Sequence, residues 1–376
     1  MSTTTTIVAP PEQQYEYYFR DGTNDNKREI LTGDKAVETF EEIPVIDVGN
    51  IYSKNLEERR QKAEEVANVC KTVGFMYIKN HGISQDLIDE VFELSRKYHD
   101  QPLEVKMKED VYKSETLRGY EVHYTKTSEG EKGENPVEAD ALLKKGSFLY
   151  SYDPDNDPQP PQLSPEQREL CIGIHNQWPE NWPEFRTKLL LYQAELLKLS
   201  RALLRTFALG LGAEENYFDS IVTAPFISII LQNYATRPPG AEDPDSLGAH
   251  SDFETFTILL QDMLGGLEIL NKNGVYVPAK PIRGTFVVNV GDFLQRISND
   301  QFVSTVHRVR NTSGLSRYSV PFFFSFNAGE EVSVVPACTS ADHPAKYGPR
   351  NLHEYTAERR RIKKEQHEQG VHHALG

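Results

Sequence analysis

The sequence predicts an α+β protein with a mainly β core: a double-stranded β-helix, or jelly roll, flanked by N-terminal and C-terminal helices. Three observations point there. From Phe226 onward, ISIILQNYA, TFTILLQD, LEIL, VYVPAK, TFVVNVGDF, VSTVHRVRN, RYSVPFFFSF and VSVVPA follow one another at short intervals, separated by Gly, Asn or Pro, as successive strands would. Ahead of them, FRTKLLLYQAELLKLSRALLRTFALGL, between Trp182 and Leu211, is the strongest helical pattern in the chain, closed by Gly210 and Gly212. At the front, IPVIDV, NLEERRQKAEEVANVCKTV and GFMYIKN read as strand, helix and strand.

Taken in order, residues 1–42 are a polar, threonine-rich lead-in without sustained periodicity. Residues 43–212 form a mixed, helix-rich region. Within it SQDLIDEVFELSRKYHD starts a second helix on a serine cap. The charged, glycine-spotted stretch from Leu103 to Pro160 reads as a long loop of the kind that covers a site. Residues 213–340 are the jelly-roll core, and residues 341–376 a C-terminal helix and tail, in which EYTAERRRIKKEQHEQG is a charged helix with solvated faces. The chain shows no internal repeat.

Composition excludes several classes of function. With 376 residues, 38% hydrophobic and 26% charged, a large core needs no membrane. A formal charge of -15 gives the wrong electrostatic sign for nucleic acid or an anionic membrane surface. Cys70, Cys171 and Cys338 are far apart and odd in number, which suits reduced thiols in a cytoplasmic protein. The N-terminus lacks a basic segment followed by an apolar one, and no apolar run approaches the roughly 20 residues a bilayer requires.

Chemistry concentrates in GAHSDFETFTILL. If His250 and Asp252 lie on a strand, side chains at i and i+2 project from the same face. His307, in VSTVHRVRN, is the obvious third ligand, and two histidines plus one carboxylate form the facial set used by non-haem Fe(II) oxygenases. Arg317 and Ser319 share one face of a later strand, opposite Val320, Phe322 and Phe324. A buried arginine needs an anion, and a guanidinium fork plus a hydroxyl suits a small carboxylate. Other readings remain open at this point. His250 and His307 as core histidines of a non-enzymatic binding protein, a zinc hydrolase, and Arg317 paired with an internal acid are each compatible with those residues.

These residues resemble the isopenicillin N synthase-like, 2-oxoglutarate and Fe(II)-dependent dioxygenases. The resemblance runs from Ile43 to about Arg361. It rests on IPVIDV, GFMYIKNHGI, HNQWP at His175–Pro179, GAHSDFETFTILLQDMLGGLEIL, TFVVNVGDFLQRISNDQFVSTVHRV and RYSVPFFFSFN. It implies that His250, Asp252 and His307 are iron ligands and that Arg317 and Ser319 grip the distal carboxylate of 2-oxoglutarate. It also places Tyr234 at the co-substrate, although Ala235 and Thr236 interrupt the family's Tyr-Pro. Asn289 and Asp292 read as turn-forming residues, and His81 as structural.

The implied reaction uses Fe(II), 2-oxoglutarate and O2 to hydroxylate, desaturate or cyclise a small organic metabolite, with release of succinate and CO2. A 2-oxoglutarate-independent oxidase of the isopenicillin N synthase or aminocyclopropane-carboxylate oxidase type, or an ethylene-forming enzyme, is the alternative. By the same resemblance the substrate lies between the barrel mouth and the flanking segments, which makes Tyr120, Tyr124, Phe148, Tyr150 and Phe324 candidate contacts and favours a mostly apolar substrate. The partner is therefore a small molecule, with no nucleic acid and no membrane; oligomeric state is not legible.

Overall fold

The computed structural model describes residues 16–21, 24–124, 143–169, 171, 175–236, 245–351 and 361. Its strands are β1 Glu16–Asp21, β2 Asn24–Glu29, β3 Val45–Asp47, β4 Phe75–Lys79, β5 Gly119–Tyr124, β6 Leu143–Ser151, β7 Pro225–Tyr234 and β8 Asp245–His250. They continue as β9 Phe256–Gln261, β10 Leu267–Leu270, β11 Tyr276–Pro278, β12 Phe286–Val290, β13 His307–Arg310, β14 Arg317–Asn327, β15 Glu331–Val332 and β16 Arg350–Asn351. The helices are α1 Leu56–Thr72, α2 Gln85–His99, α3 Leu103–Lys106, α4 Pro165–Glu169, α5 Pro183–Gly210 and α6 Asp292–Ile297.

Two sheets form the core. The major sheet has eight strands in the order β3-β4-β12-β9-β14-β7-β6-β5, and the minor sheet has six in the order β11-β10-β13-β8-β1-β2. Directly paired residues of neighbouring strands share a face. One face of the major sheet therefore carries Phe75, Asn289, Thr257 and Phe323 in one row, and Arg317, Tyr234 and Lys145 in another. Phe75, Tyr77, Tyr234 and Val287 pack there against Leu267, Ile269, Val277 and Val309 of the minor sheet, so this face is the barrel interior. The opposite face carries Phe148, Leu231, Ile258, Val288, Phe322 and Phe324 and packs beneath the helices.

The helices follow from local sequence. Asn55 caps α1 by accepting a hydrogen bond from the Glu57 amide, and Ala63, Val66, Ala67 and Cys70 form its buried stripe at helical spacing. A Cβ at Gly210 would lie 2.8 Å from that of Ala67, so glycine permits close approach of α5 to α1. Helix α5 starts on Pro183 at its first position, where the missing amide costs nothing. Its Leu189, Leu196, Leu203 and Phe207 are buried against the major sheet. Arg201 of α5 forks onto Asp157, both contacts at 2.7 Å, and pins the segment after β6 to the helix.

Two segments differ from the sequence-based expectations. The Leu103–Pro160 stretch is not one long loop: β5 and β6 add an antiparallel pair to the edge of the major sheet. Polar residues such as Lys145 and Ser147 there face the barrel interior and disguise the strand alternation as loop composition. The lead-in likewise contains β1 and β2, with β1 running parallel to β8 and Arg20 in register with His250. The expected helix in EYTAERRRIKKEQHEQG falls almost wholly outside the described residues. Among the described residues, no helix is long and apolar enough to cross a membrane.

Candidate metal centre

Three potential ligands converge at the end of β8. His250 is the last residue of that strand and pairs directly with His307, the first residue of β13. Cross-strand partners share a face, and the two rings stand with centroids 4.2 Å apart. Asp252 does not sit on a strand as the i, i+2 reading requires, since β8 ends at His250 and β9 starts at Phe256. Its place is set instead by partners outside the loop. The Thr257 hydroxyl donates to Asp252 Oδ2 at 2.5 Å, and the Asn289 side-chain amide donates to the same oxygen at 2.7 Å. Oδ1 is left facing the histidines, 3.8 Å from His250 Nε2 and 3.7 Å from His307 Nε2. The three atoms lie within 4.8 Å of one another.

Both imidazoles are held in the tautomer a metal requires. His250 Nδ1 lies 2.8 Å from the Gly248 carbonyl and His307 Nδ1 lies 3.2 Å from that of Thr305. A carbonyl only accepts, so each Nδ1 carries the proton and each Nε2 presents a lone pair. Burial, and after it the proximity of a second imidazole, pushes His250 down to about 4, which keeps it neutral near pH 7. Burial acts to raise the Asp252 carboxyl, but the adjacent His307 and His250 and the Thr257 and Asn289 hydrogen bonds outweigh it and hold the group below its ordinary value.

The loop carrying Asp252 is anchored by backbone. The Asp292 amide donates to the Asp252 carbonyl at 2.7 Å, and the Gly291 amide to that of Thr255 at 3.0 Å. A Cβ on Gly291 would stand 2.0 Å from the Glu254 carbonyl oxygen, so only glycine lets α6 start this close to the loop.

A second polar group lies deeper in the barrel. Arg317 is 1% exposed and Ser319 is 2% exposed, and Arg317 pairs in register with Tyr234. The guanidinium donates to the Gly265 carbonyl, to Ser319 Oγ at 3.2 Å and to Gln261 Oε1 at 3.5 Å, and it stands 5.0 Å from the centre of the Tyr234 ring. All of these partners are neutral, and no carboxylate among the described residues pairs with it. Asp262 feels the Arg317 charge without a direct contact to it, and its oxygens accept hydrogen bonds from the Leu264 and Tyr318 amides. Among the described residues the internal-acid explanation therefore finds no ion-pair partner, and the buried guanidinium lies on the strand face that forms the barrel interior. Two neutral imidazole nitrogens, one carboxylate oxygen and a nearby guanidinium suit a divalent iron with a carboxylate co-ligand.

The expected substrate contacts do not line this space. Tyr120, Phe148, Tyr150 and Phe324 are each 0% exposed and lie in the core beneath the helices. In register, Phe148 faces Tyr120 on one side and Leu231 on the other, all on the outer face of the sheet. Tyr150 donates to the Leu189 carbonyl of α5, in keeping with that orientation. The Tyr124 side chain lies outside the described residues. The same register turns Glu121, His123, Lys145, Ser147 and Gln232 inward, so that part of the interior wall is polar.

Asn289 corrects another expectation: it is a buried residue within β12 that hydrogen-bonds Asp252, not a turn former. Thr257 was not singled out by sequence at all. Its signal was a hydroxyl between Phe256 and the apolar run Ile258–Leu260 in the strand FTILLQ. Asp292 does start α6, and it accepts a hydrogen bond from Ser251 Oγ. His81 is buried, with Nε2 3.3 Å from the Gly284 carbonyl and its ring edge-on to Phe286, a structural placement. In the HNQWP segment, Asn176 exchanges two hydrogen bonds of 2.9 Å with the Ser151 backbone, and Trp178 packs on Phe148 and Tyr150.

Known proteins resemble this chain in sequence and in fold. Residues 226–326 match the 2OG-Fe(II) oxygenase superfamily, and residues 43–181 match the family described as non-haem dioxygenase in morphine synthesis N-terminal. The chain is 38% identical over 319 residues to the 2-oxoglutarate-Fe(II) type oxidoreductase ppzC of Metarhizium majus, covering 81% of this chain and 83% of that one. It is 32% identical over 316 residues to the 2-oxoglutarate-Fe(II) type oxidoreductase hxnY of Emericella nidulans, covering 81% and 86%. Among solved structures, a full-length Neurospora crassa protein in complex with alpha-KG and thymine superposes with a TM-score of 0.72 at 26% identity, covering 89% of this chain and 100% of that one.

Proposed function

The chain belongs to the 2OG-Fe(II) oxygenase superfamily, and from that premise we propose that His250, Asp252 and His307 bind Fe(II) while Arg317, Ser319 and Tyr234 receive the distal carboxylate of 2-oxoglutarate. The protein is an oxidoreductase, an Fe(II)- and 2-oxoglutarate-dependent dioxygenase that oxidises a small organic molecule with release of succinate and CO2. Relatives named as 2-oxoglutarate-Fe(II) oxidoreductases, and a neighbour holding alpha-KG, favour this reading over an oxidase that does without the co-substrate.

The observation that carries the site assignment is the buried Arg317 guanidinium, without a carboxylate partner among the described residues, in the same barrel interior as the converging Nε2, Nε2 and Oδ1 atoms. Iron, when bound, supplies the centre at which oxygen is reduced as 2-oxoglutarate loses CO2 and the substrate is oxidised. The chain's own residues do the rest. The Gly248 and Thr305 carbonyls keep each Nε2 free for coordination. The Arg317 fork, the Ser319 hydroxyl and Tyr234, which lie together, would hold one carboxylate of the co-substrate. Val287, Leu267, Ile269 and Val309 form the apolar part of the wall between the two sheets.

For the substrate, the inward Glu121, His123, Lys145, Ser147 and Gln232 support a polar, hydrogen-bonding molecule in place of the mostly apolar one expected from sequence. The thymine held with alpha-KG by the Neurospora crassa neighbour supports the same class. Three buried, free thiols support a reducing, cytoplasmic setting. The direct test is anaerobic addition of Fe(II) and then 2-oxoglutarate, which should develop a visible charge-transfer absorption, followed by oxygen with a panel of polar heterocycles and amino acids, monitoring succinate. No absorption change and no succinate would overturn the proposal; product formation only from apolar metabolites would overturn the substrate class.

A further inference from the structure

We propose that Asn289 and Thr257 are positioning residues that restrict Asp252 to a single coordinating oxygen, resting on the iron-site assignment above. A carboxylate oxygen offers about two acceptor directions. Asp252 Oδ2 is approached by the Thr257 hydroxyl at 2.5 Å and the Asn289 amide at 2.7 Å, so both directions are in use. Oδ1, which faces His250 and His307, is the oxygen left to coordinate.

The two donors are direct partners across β9 and β12, and Phe75 of β4 is the next residue in the same row. The Phe75 ring stands edge-on to His307 with centroids 5.1 Å apart. One row of the major sheet thus orients two of the three ligands, Asp252 by hydrogen bonds and His307 by ring contact. Thr257, Asn289 and Phe75 are each buried, so their side chains have little freedom to let the ligands turn.

Single-oxygen coordination matters because an octahedral ion has about six positions. Three protein atoms leave enough for a chelating 2-oxo acid and one further small ligand; a carboxylate swung round to bind through both oxygens would occupy one of those places. Thr257 and Asn289 act on the reaction through Asp252 and touch none of the reacting atoms.

The test uses the whole protein, Mn(II) as probe, and free Mn(II) read by electron paramagnetic resonance, which needs no turnover. Thr257→Val and Asn289→Leu keep the side-chain volume and remove the donor, and each should weaken Mn(II) binding about 10–100-fold. Thr257→Ser, which keeps the hydroxyl, should restore near-native affinity. A role confined to packing would lower thermal stability in the first two variants with no change in Mn(II) affinity, and that result overturns the inference. If Asn289→Leu does not fold, Thr257→Val and Thr257→Ser decide the matter by themselves. His307→Ala separates the two levels: loss of Mn(II) binding there with native affinity in both donor variants sinks this inference alone, whereas native affinity in His307→Ala sinks the iron site itself.

Discussion

His250 and His307 face each other directly across β8 and β13, and that pairing places two imidazoles from distant parts of the chain over one carboxylate oxygen. The strand register is what makes the centre, because a slip of one residue on either strand would turn one ring to the opposite face of the sheet.

Replacing His307 should therefore abolish function without abolishing the fold. His307→Ala removes one of three ligands, so Fe(II) binding and succinate release should both fall to background while the circular dichroism spectrum stays native. Full activity in this variant would exclude His307 as a ligand.

Arg317 should behave differently. In Arg317→Met the metal is retained, but the charge-assisted hydrogen bonds to the co-substrate are lost, each worth about 1.5–3 kcal/mol, so half-saturation by 2-oxoglutarate should rise at least about 10-fold. The metal-free variant should be no less stable than the native protein, since no ion pair among the described residues offsets the desolvation of the buried guanidinium. A co-substrate titration and a thermal melt check both halves, and an unchanged half-saturation contradicts the assignment.

Gly291→Ala tests the anchor of the metal loop. Its new methyl would lie 2.0 Å from the Glu254 carbonyl oxygen, so the loop must move. Overpacking of this kind costs about 1–3 kcal/mol, and displacement of Asp252 should weaken Fe(II) binding in parallel. Denaturant unfolding and metal titration of the same preparation should show both effects; a shift in one without the other would uncouple α6 from the centre.

Acid sensitivity should trace in part to His99. Its Nε2 donates to the Leu231 carbonyl at 3.0 Å, and burial pushes the imidazole down to about 3 from an ordinary 6.5. The native state then stays unprotonated where the unfolded chain has already taken up a proton. Stability is thus fully present above about pH 6.5 and falls as pH drops toward 3, by roughly 1.4 kcal/mol per pH unit from this one group. In the metal-free protein His250 adds a loss of the same sign between 6.5 and about 4. Denaturant midpoints measured from pH 7.5 to 4.5 should show a shallower decline in His99→Gln than in the native protein, and identical slopes would rule this out.

Most of the strands and the main helices were legible in the sequence, because they depend on short-range repeats of apolar residues. Pro183–Gly210 is helical where FRTKLLLYQAELLKLSRALLRTFALGL shows its stripe, and β7, β9, β12 and β14 lie where the apolar runs are. The chemical types in GAHSDF, VSTVHRVRN and RYSVPFFFSF were equally plain. Chain patterning also shows that a strand has two faces. It does not show which face meets which layer, and in β12 every residue of FVVNV is buried, so alternation gives no answer.

Only the tertiary structure decided that Phe148 and Tyr150 lie beneath α5 while Lys145 and Ser147 face the barrel, because that choice depends on the sheet partners of β6. It also decided that Asp252 is aimed by Thr257 and Asn289, donors brought in from two different strands. Periodicity is a property of neighbours in sequence. The aim of a ligand and the lining of a cavity are set by residues that become neighbours only when the sheets close.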